Sequence, residues 1–229
     1  MPRRPRPKHA LPSPVQRPHL LAGESLLPPP RQERSRRKRE ALLDATLATF
    51  AERGYEASTI DEIGRRAGVA VGGFYLHFRS KRQALLVLMD RLLGELDGLA
   101  PALEADLQGT VVALVRDALR LDMAYLGAYR AWREAVLRDD ELALLHASID
   151  AWTTGRLATW LELIRAAPNA RRELEPAVLA RVLNALFWRF TELRMGEQAA
   201  TLDAVTALVI HAIFADERSP AEPGAVDFR

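Results

Sequence analysis

The chain has 229 residues, 48% of them hydrophobic, with 32 Lys and Arg against 30 Asp and Glu and no cysteine. That length allows one or two domains with a buried core, and the missing cysteines exclude disulfides, thiolate metal sites and thiol redox chemistry. No apolar run approaches the roughly 18 residues of a bilayer span, and prolines and Glu24 interrupt the start before a secretory leader could form, so the reading is a soluble, cytoplasmic protein. The net charge of +2 hides an asymmetry: residues 1–82 carry 17 basic and 8 acidic side chains, and the remainder carries 15 and 22. A first third at +9 suits a polyanionic partner, on a body at −7.

Residues 1–30 hold most of the 14 prolines and five of the basic residues, a composition expected to stay disordered, as a dispensable tail with local polyproline II character. From Arg31 the texture changes. Leu43, Leu47 and Phe50 recur at i, i+4, i+7 and predict an amphipathic helix stopped by Gly54. Its first turns are the basic run Arg34, Arg36, Arg37, Lys38 and Arg39. Thr59 and Glu62 form a capping-box pattern before a two-turn helix with Ile60, Ile63 and Ala67 on one face, ended by Gly68. A second short helix starts near Val71, with Phe74 and Phe78 facing inward. Ser80 and Gln83 then cap a long helix striped by Leu85, Leu88 and Leu92. Two short helices across a Gly-containing turn, braced by a helix in front, predict a helix-turn-helix.

The body reads as further helices at about 107–138, 140–146, 148–166, 176–195 and 202–215, and the fold class is all-α. The last two are apolar over much of their surface, including Val182, Leu186, Phe190, Val205, Val209 and Ala212. That predicts an interface with a second copy. The four tryptophans fall in this body. Aromatics at helical spacing are more often core than pocket, yet Tyr125, Trp132 and Trp152 are the candidates to line an apolar cavity. Arg156 and Glu162 are candidate polar anchors, with surface ion pairing as the plainer role. Signatures of catalysis are missing: no GxSxG, HExxH or Walker lysine loop, five scattered histidines, and no strand before the Gly68–Gly73 cluster. His146 and Asp150, at i, i+4, read as a helix-surface pair. No enzyme activity, metal or cofactor is expected.

The stretch EALLDATLATFAERGYEASTIDEIGRRAGVAVGGFYLHFRSKRQALL, with FAERGY, the capped ST-I-x-E-I, AGV and FYLHF-x-SK, resembles the DNA-binding domain of the TetR family of transcriptional regulators over about residues 36–90. The resemblance implies a helix-turn-helix DNA-binding domain at 31–80, a helical ligand-binding and dimerisation domain at 81–215, and a C-terminal tail at 216–229. It further implies a homodimer on a palindromic operator and release of the DNA by a small apolar effector acting through the fourth helix. By the same resemblance Thr59, Tyr75, His77 and Lys81 contact phosphate, while Val71, Gly72 and Gly73 face the bases. This sequence departs from the family there: where Lys and Thr are common at 71 and 73, it has Val71 and Gly73. Val71 offers only apolar contact and the glycines none, so specificity is expected to lean on other groups, on DNA shape or on the basic run at 31–39. The alternative is a small-molecule binding protein of the same fold that grips DNA without reading it.

Overall fold

The structure is a computed structural model and describes residues 16–99, 107–165, 169–190 and 198–214. Among these the chain is helical, with a single isolated bridge between Ala170 and Phe214. The all-α class read from the sequence therefore holds.

Helix α1 (Glu33–Arg53) ends at Gly54, whose φ of 78° lies in the left-handed region that glycine enters without strain. Helix α2 (Ile60–Arg66) begins where the Thr59 hydroxyl accepts from the Glu62 N–H at 3.2 Å, and Gly68 turns the chain at φ 64°. Helix α3 (Val71–Tyr75) follows. Helix α4 (Lys81–Gly98) opens with Ser80 accepting from the Gln83 N–H at 3.1 Å. Phe50, Ile63, Phe74 and Phe78 are buried together with Leu85, Leu88 and Leu92, so the four helices close over one apolar core.

The rest of the described body is α5 (Leu107–Ala124), α6 (Leu126–Val136), α7 (Asp140–Ile164), α8 (Pro176–Phe190) and α9 (Gln198–Ile213). Helix α7 lies along α8 and α5 along α9. A second apolar cluster joins Val111, Leu161, Ile164, Ala180 and Ile213 where these four helices meet.

Three sequence expectations change. The helix expected over 107–138 is two helices, broken at Tyr125, with no glycine or proline at the break. Instead Gly127 sets α6 against α1 so closely that a Cβ there would overlap the Leu47 carbonyl oxygen and stand 2.9 Å from the Ala51 nitrogen. The helices expected at 140–146 and 148–166 are the single α7, capped by the Asp139 carboxylate on the N–H groups of Glu141 and Leu142.

The third change concerns residues 16–30, which are packed. Leu20 is 1% exposed in the main core, and Arg17 donates to the Asp90 carbonyl at 2.9 Å. Glu24 pairs with Arg82 at 2.5 Å, and Arg79 donates to the Ser25 carbonyl at 2.7 Å. Proline-rich composition forbids regular hydrogen bonding, but it does not stop an extended strap from burying one leucine and using charged anchors. The tails expected at residues 1–15 and 216–229 lie outside the described residues.

Candidate nucleic-acid interface and internal cavity

The turn between α2 and α3 is tight. The Val69 N–H donates to the Gly64 carbonyl at 2.8 Å, and a Cβ on Gly64 would stand 2.6 Å from the Val69 carbonyl oxygen. Beyond it, α3 buries Phe74 and presents Val71, Gly72 and Tyr75 to solvent, Val71 at 38% and Tyr75 at 50% exposure. The paired glycines differ in kind. A Cβ on Gly73 would meet the Val69 Cγ1 at 2.5 Å, so the turn itself wants a small residue there. Gly72 has an ordinary helical φ and nothing within 4 Å of where a Cβ would sit. The fold gives no reason for a missing side chain at 72.

Thr59 and Tyr75 are exposed, and the Thr59 hydroxyl keeps its proton to donate while it caps α2. His77 is half-buried. Burial, and then the charges of Arg39 and Lys38, push its imidazole below the usual value of 6.5. Lys81, expected at phosphate, is committed elsewhere. Its ammonium donates to the carbonyls of Tyr55 at 2.6 Å, Ser58 at 3.1 Å and Glu56 at 3.3 Å, and lies 4.4 Å from the Tyr55 ring centroid. Three donors meet three acceptors, so Lys81 staples the α1–α2 loop to the start of α4. The spacing of SK after the aromatics could not reveal this, because the acceptors lie more than twenty residues upstream.

In the basic run, Arg36 and Arg37 pair with Glu33 at 2.7 and 3.2 Å, and the Arg39 guanidinium lies 5.1 Å from the Phe78 ring centroid. Arg34 and Lys38 are exposed. The run belongs to the first turns of α1, where the charges stand on a rigid helix.

Sequence reading missed the clamp that α6 applies to the end of α1. Arg130 donates to the Ala51 carbonyl at 2.7 Å, where the helix leaves acceptors unused. The Glu134 carboxylate accepts the N–H groups of Tyr55 at 2.7 Å and Glu56 at 3.2 Å. Arg82, at the start of α4, adds ion pairs to Asp139 at 2.8 Å and Glu141 at 2.6 Å. The opposite face of α6 carries Tyr129, a wall of the internal cavity.

That cavity, of about 200 Å³, lies among α4, α5, α6, α7, α8 and α9 and is lined mainly by apolar side chains. A single water needs roughly 10–15 Å³ by the same measure. Trp152 lines it with Trp160, Phe187 and Trp188. Tyr125 and Trp132 do not. Trp132 is core, its Nε1 donating to His146 Nδ1 at 3.3 Å, and the Tyr125 hydroxyl donates to Glu95 at 2.7 Å. Arg156 also lines the cavity. It lies 5.1 and 4.8 Å from the Trp152 and Trp160 centroids and donates to Asp97 at 2.6 Å, while Glu162 approaches Arg165 at 3.9 Å.

Asp122, also in the lining, accepts from the Tyr129 hydroxyl at 2.8 Å. Burial raises its carboxyl from 3.8 to about 7, outweighing that hydrogen bond. Asp150 accepts from Asn184 at 2.6 Å, and its charge also acts on His146, whose imidazole burial pushes below its usual value against the opposing pull of Asp150. Among the described residues no group of three or more His, Asp or Glu could hold a metal ion.

Of the expected interface residues, Val182 is 57% exposed, beside Val178 at 48% on the same face of α8, with Leu208 at 55% on α9. Leu186, Val205 and Val209 are partly buried and line the cavity, and Ala212 is partly buried. The Phe190 side chain lies outside the described part.

Residues 42–87 match the family model described as bacterial regulatory proteins, tetR family. The HTH-type transcriptional regulator BetI of Rhizobium meliloti (strain 1021) is 30% identical over 158 residues, which are 66% of this chain and 77% of that one. The HTH-type transcriptional repressor KstR of Mycobacterium tuberculosis (strain ATCC 25618 / H37Rv) is 26% identical over 78% of this chain and 83% of its own. Other matches are shorter: one to a Bacillus subtilis regulator takes in 72 residues, 25% of that protein. Among solved structures, the TetR family protein CprB from S. coelicolor A3(2) superposes with a TM-score of 0.62 over 81% of this chain and 92% of its own, at 19% identity. The head built from α1 to α4 coincides with the family-model match, and the BetI alignment runs well past it into the body. The chain therefore belongs to the TetR family of DNA-binding transcriptional regulators.

Proposed function

We propose that the protein is a ligand-responsive repressor. On this reading a homodimer holds a palindromic operator in the cytoplasm and releases it when a small apolar molecule fills the cavity. The domain division follows the same lines, with the reading head at 31–80 and the effector and dimer body at 81–215. The observation that carries the reading is α6, which holds the end of α1 through Gly127, Arg130 and Glu134 and walls the cavity through Tyr129. A ligand that binds one α6 position better than another shifts the head by that difference in affinity. The fourth helix shares the task, since Leu93 and Leu96 line the cavity while its first turn joins the head.

At the operator, Thr59, Tyr75 and His77 take phosphate, and Val71, Gly72 and Gly73 meet the major-groove floor. Arg34, Arg36, Arg37, Lys38 and Arg39 add charge from α1, and Lys81 acts by shaping the loop that carries Thr59. Two copies joined through the exposed apolar faces of α8 and α9 would present two heads to successive half-sites. Nothing in this scheme requires catalysis: it is a binding and release cycle.

Fluorescence anisotropy against duplexes tiled across the DNA flanking the gene, at two salt concentrations with random-duplex competitor, tests it. Competitor-resistant binding to one palindromic fragment, relieved by a cavity ligand, is the expected result. Binding that follows salt but not sequence would favour the second reading, a small-molecule binding protein with non-specific grip, which the side-chain-free Gly72 motivates.

A further inference from the structure

We infer that the cavity's ligand is an apolar molecule carrying one basic nitrogen, whose ammonium pairs with the Asp122 carboxylate while its hydrocarbon lies against the aromatic walls. This rests on the reading of the cavity as the effector site.

The polar groups of the lining decide the ligand's chemistry, because the apolar ones accept any hydrocarbon. Most are already used. Asn184 donates to Asp150 at 2.6 Å and to Thr154 at 3.1 Å, and accepts from Thr153 at 3.1 Å. Arg156 spends its guanidinium on Asp97 and on the carbonyls of Leu96 at 2.9 Å and Leu99 at 3.0 Å.

Asp122 is different. It is 5% exposed, and its hydrogen bond comes from a neutral donor, the Tyr129 hydroxyl on Oδ1. Among the described residues no Lys, Arg or His forms an ion pair with it. A buried carboxylate without a counter-charge is among the costlier arrangements in a fold. Burial accordingly pushes this carboxyl to about 7, so near neutrality it is poised to give up its proton to a cation. A protonated amine supplies the missing charge and an N–H for Oδ2. Tyr129, Trp152, Phe187 and Trp188 line the same cavity and supply aromatic surface of the kind that attracts a cation. A fatty acid is disfavoured, since its carboxylate would face Asp122 and find the Arg156 guanidinium engaged.

The test uses the full-length protein at pH 7.5 with decylamine, decanol and decanoate, each below its micellar concentration. Binding is read from the fluorescence of the cavity tryptophans. Decylamine is expected to bind at least about tenfold more tightly than decanol, with decanoate weakest. In Asp122→Asn the preference for decylamine over decanol should disappear. A wild-type affinity for decanol or decanoate that equals or exceeds that for decylamine overturns the inference, and this comparison stands even if the variant fails to fold. So does an amine preference that survives in Asp122→Asn. If decanol binds and the amine gains nothing, the effector cavity stands and only the amine assignment falls. If none of the three binds, the effector reading itself fails.

Discussion

Replacing Gly72 with alanine separates what the fold needs from what the DNA needs. Glycine in a helix interior costs roughly 0.5–1 kcal/mol relative to alanine, through the extra freedom of the unfolded chain. At Gly72 the added Cβ has nothing within 4 Å and the φ is helical, so no native-state strain offsets that gain. The variant should therefore melt about 2–4 °C higher for each kcal/mol gained in a chain of this size. If the bare backbone at 72 exists to approach the duplex, the same methyl becomes overpacking at the DNA surface. That costs about 1–3 kcal/mol, or about 5- to 150-fold in operator Kd.

Calorimetric melts give the first quantity and operator anisotropy the second. Gly73→Ala and Gly64→Ala serve as contrasts. Their Cβ atoms would meet the Val69 Cγ1 at 2.5 Å and the Val69 carbonyl oxygen at 2.6 Å, so both should lower the melting temperature, Gly64→Ala more because its obstacle is backbone. A Gly72→Ala protein that is more stable and binds its operator unchanged would refute the close-approach argument.

Lys81→Met should destabilise the protein by roughly 1–3 kcal/mol, as three carbonyls lose their donor. It should leave the log–log salt slope of DNA binding where it was; a slope shallower by about 0.9 would mean that Lys81 neutralises a phosphate after all. Leu20→Ala should cost about 2–5 kcal/mol by urea titration, since the side chain is 1% exposed in the main core, and a near-zero change would return residues 16–30 to the status of a tail. Gly127→Ala should lower stability by at least about 1–3 kcal/mol, because the new Cβ runs into the backbone of α1 at Leu47 and Ala51, and a wild-type melting curve would contradict the α1–α6 contact. Asp122→Asn makes a pH prediction. The wild-type carboxyl binds its proton at about 7 when folded and at about 3.8 when unfolded, so the folded state holds more protons between these values. Wild-type stability then falls as pH rises through 7 and recovers toward 4. The variant's melting temperature should exceed the wild type's most at pH 8, with the gap narrowing by pH 5; a gap that does not depend on pH would show that Asp122 does not titrate in this range.

The head was legible because its signals are local. Caps at Thr59 and Ser80, stops at Gly54 and Gly68, and the Phe74–Phe78 spacing each act within one turn, and each sits where the sequence placed it. The features that the sequence hides all depend on partners far along the chain. Lys81 is expected at phosphate by resemblance, and the loop carbonyls it holds are partners that no periodicity announces. Trp132 and Tyr125 looked like pocket walls because their spacing gives a shared face, while their polar tips are spent on His146 and Glu95. Residues 16–30 looked unstructured by composition, yet one leucine and three charged anchors hold them down.

The break at Tyr125 is the most consequential of these. A continuous helix over 107–138 would have carried Asp122 and Arg130 on one rigid rod, with no independent element between cavity and head. Splitting it lets Asp122 stay on α5 while Tyr129, its hydrogen-bond partner, rides on α6 with Gly127, Arg130 and Glu134. The Asp122–Tyr129 hydrogen bond thus crosses the joint between two helices. On the proposed reading, a ligand that changes the charge or position of Asp122 would pull on a helix whose other face grips α1. Sequence periodicity favoured one helix because both halves share an apolar stripe. At Gly127 the new helix lies against the α1 backbone at Leu47 and Ala51, where a Cβ would not fit, and on the proposed ligand-responsive reading this contact is the route by which a change in the cavity would reach the head.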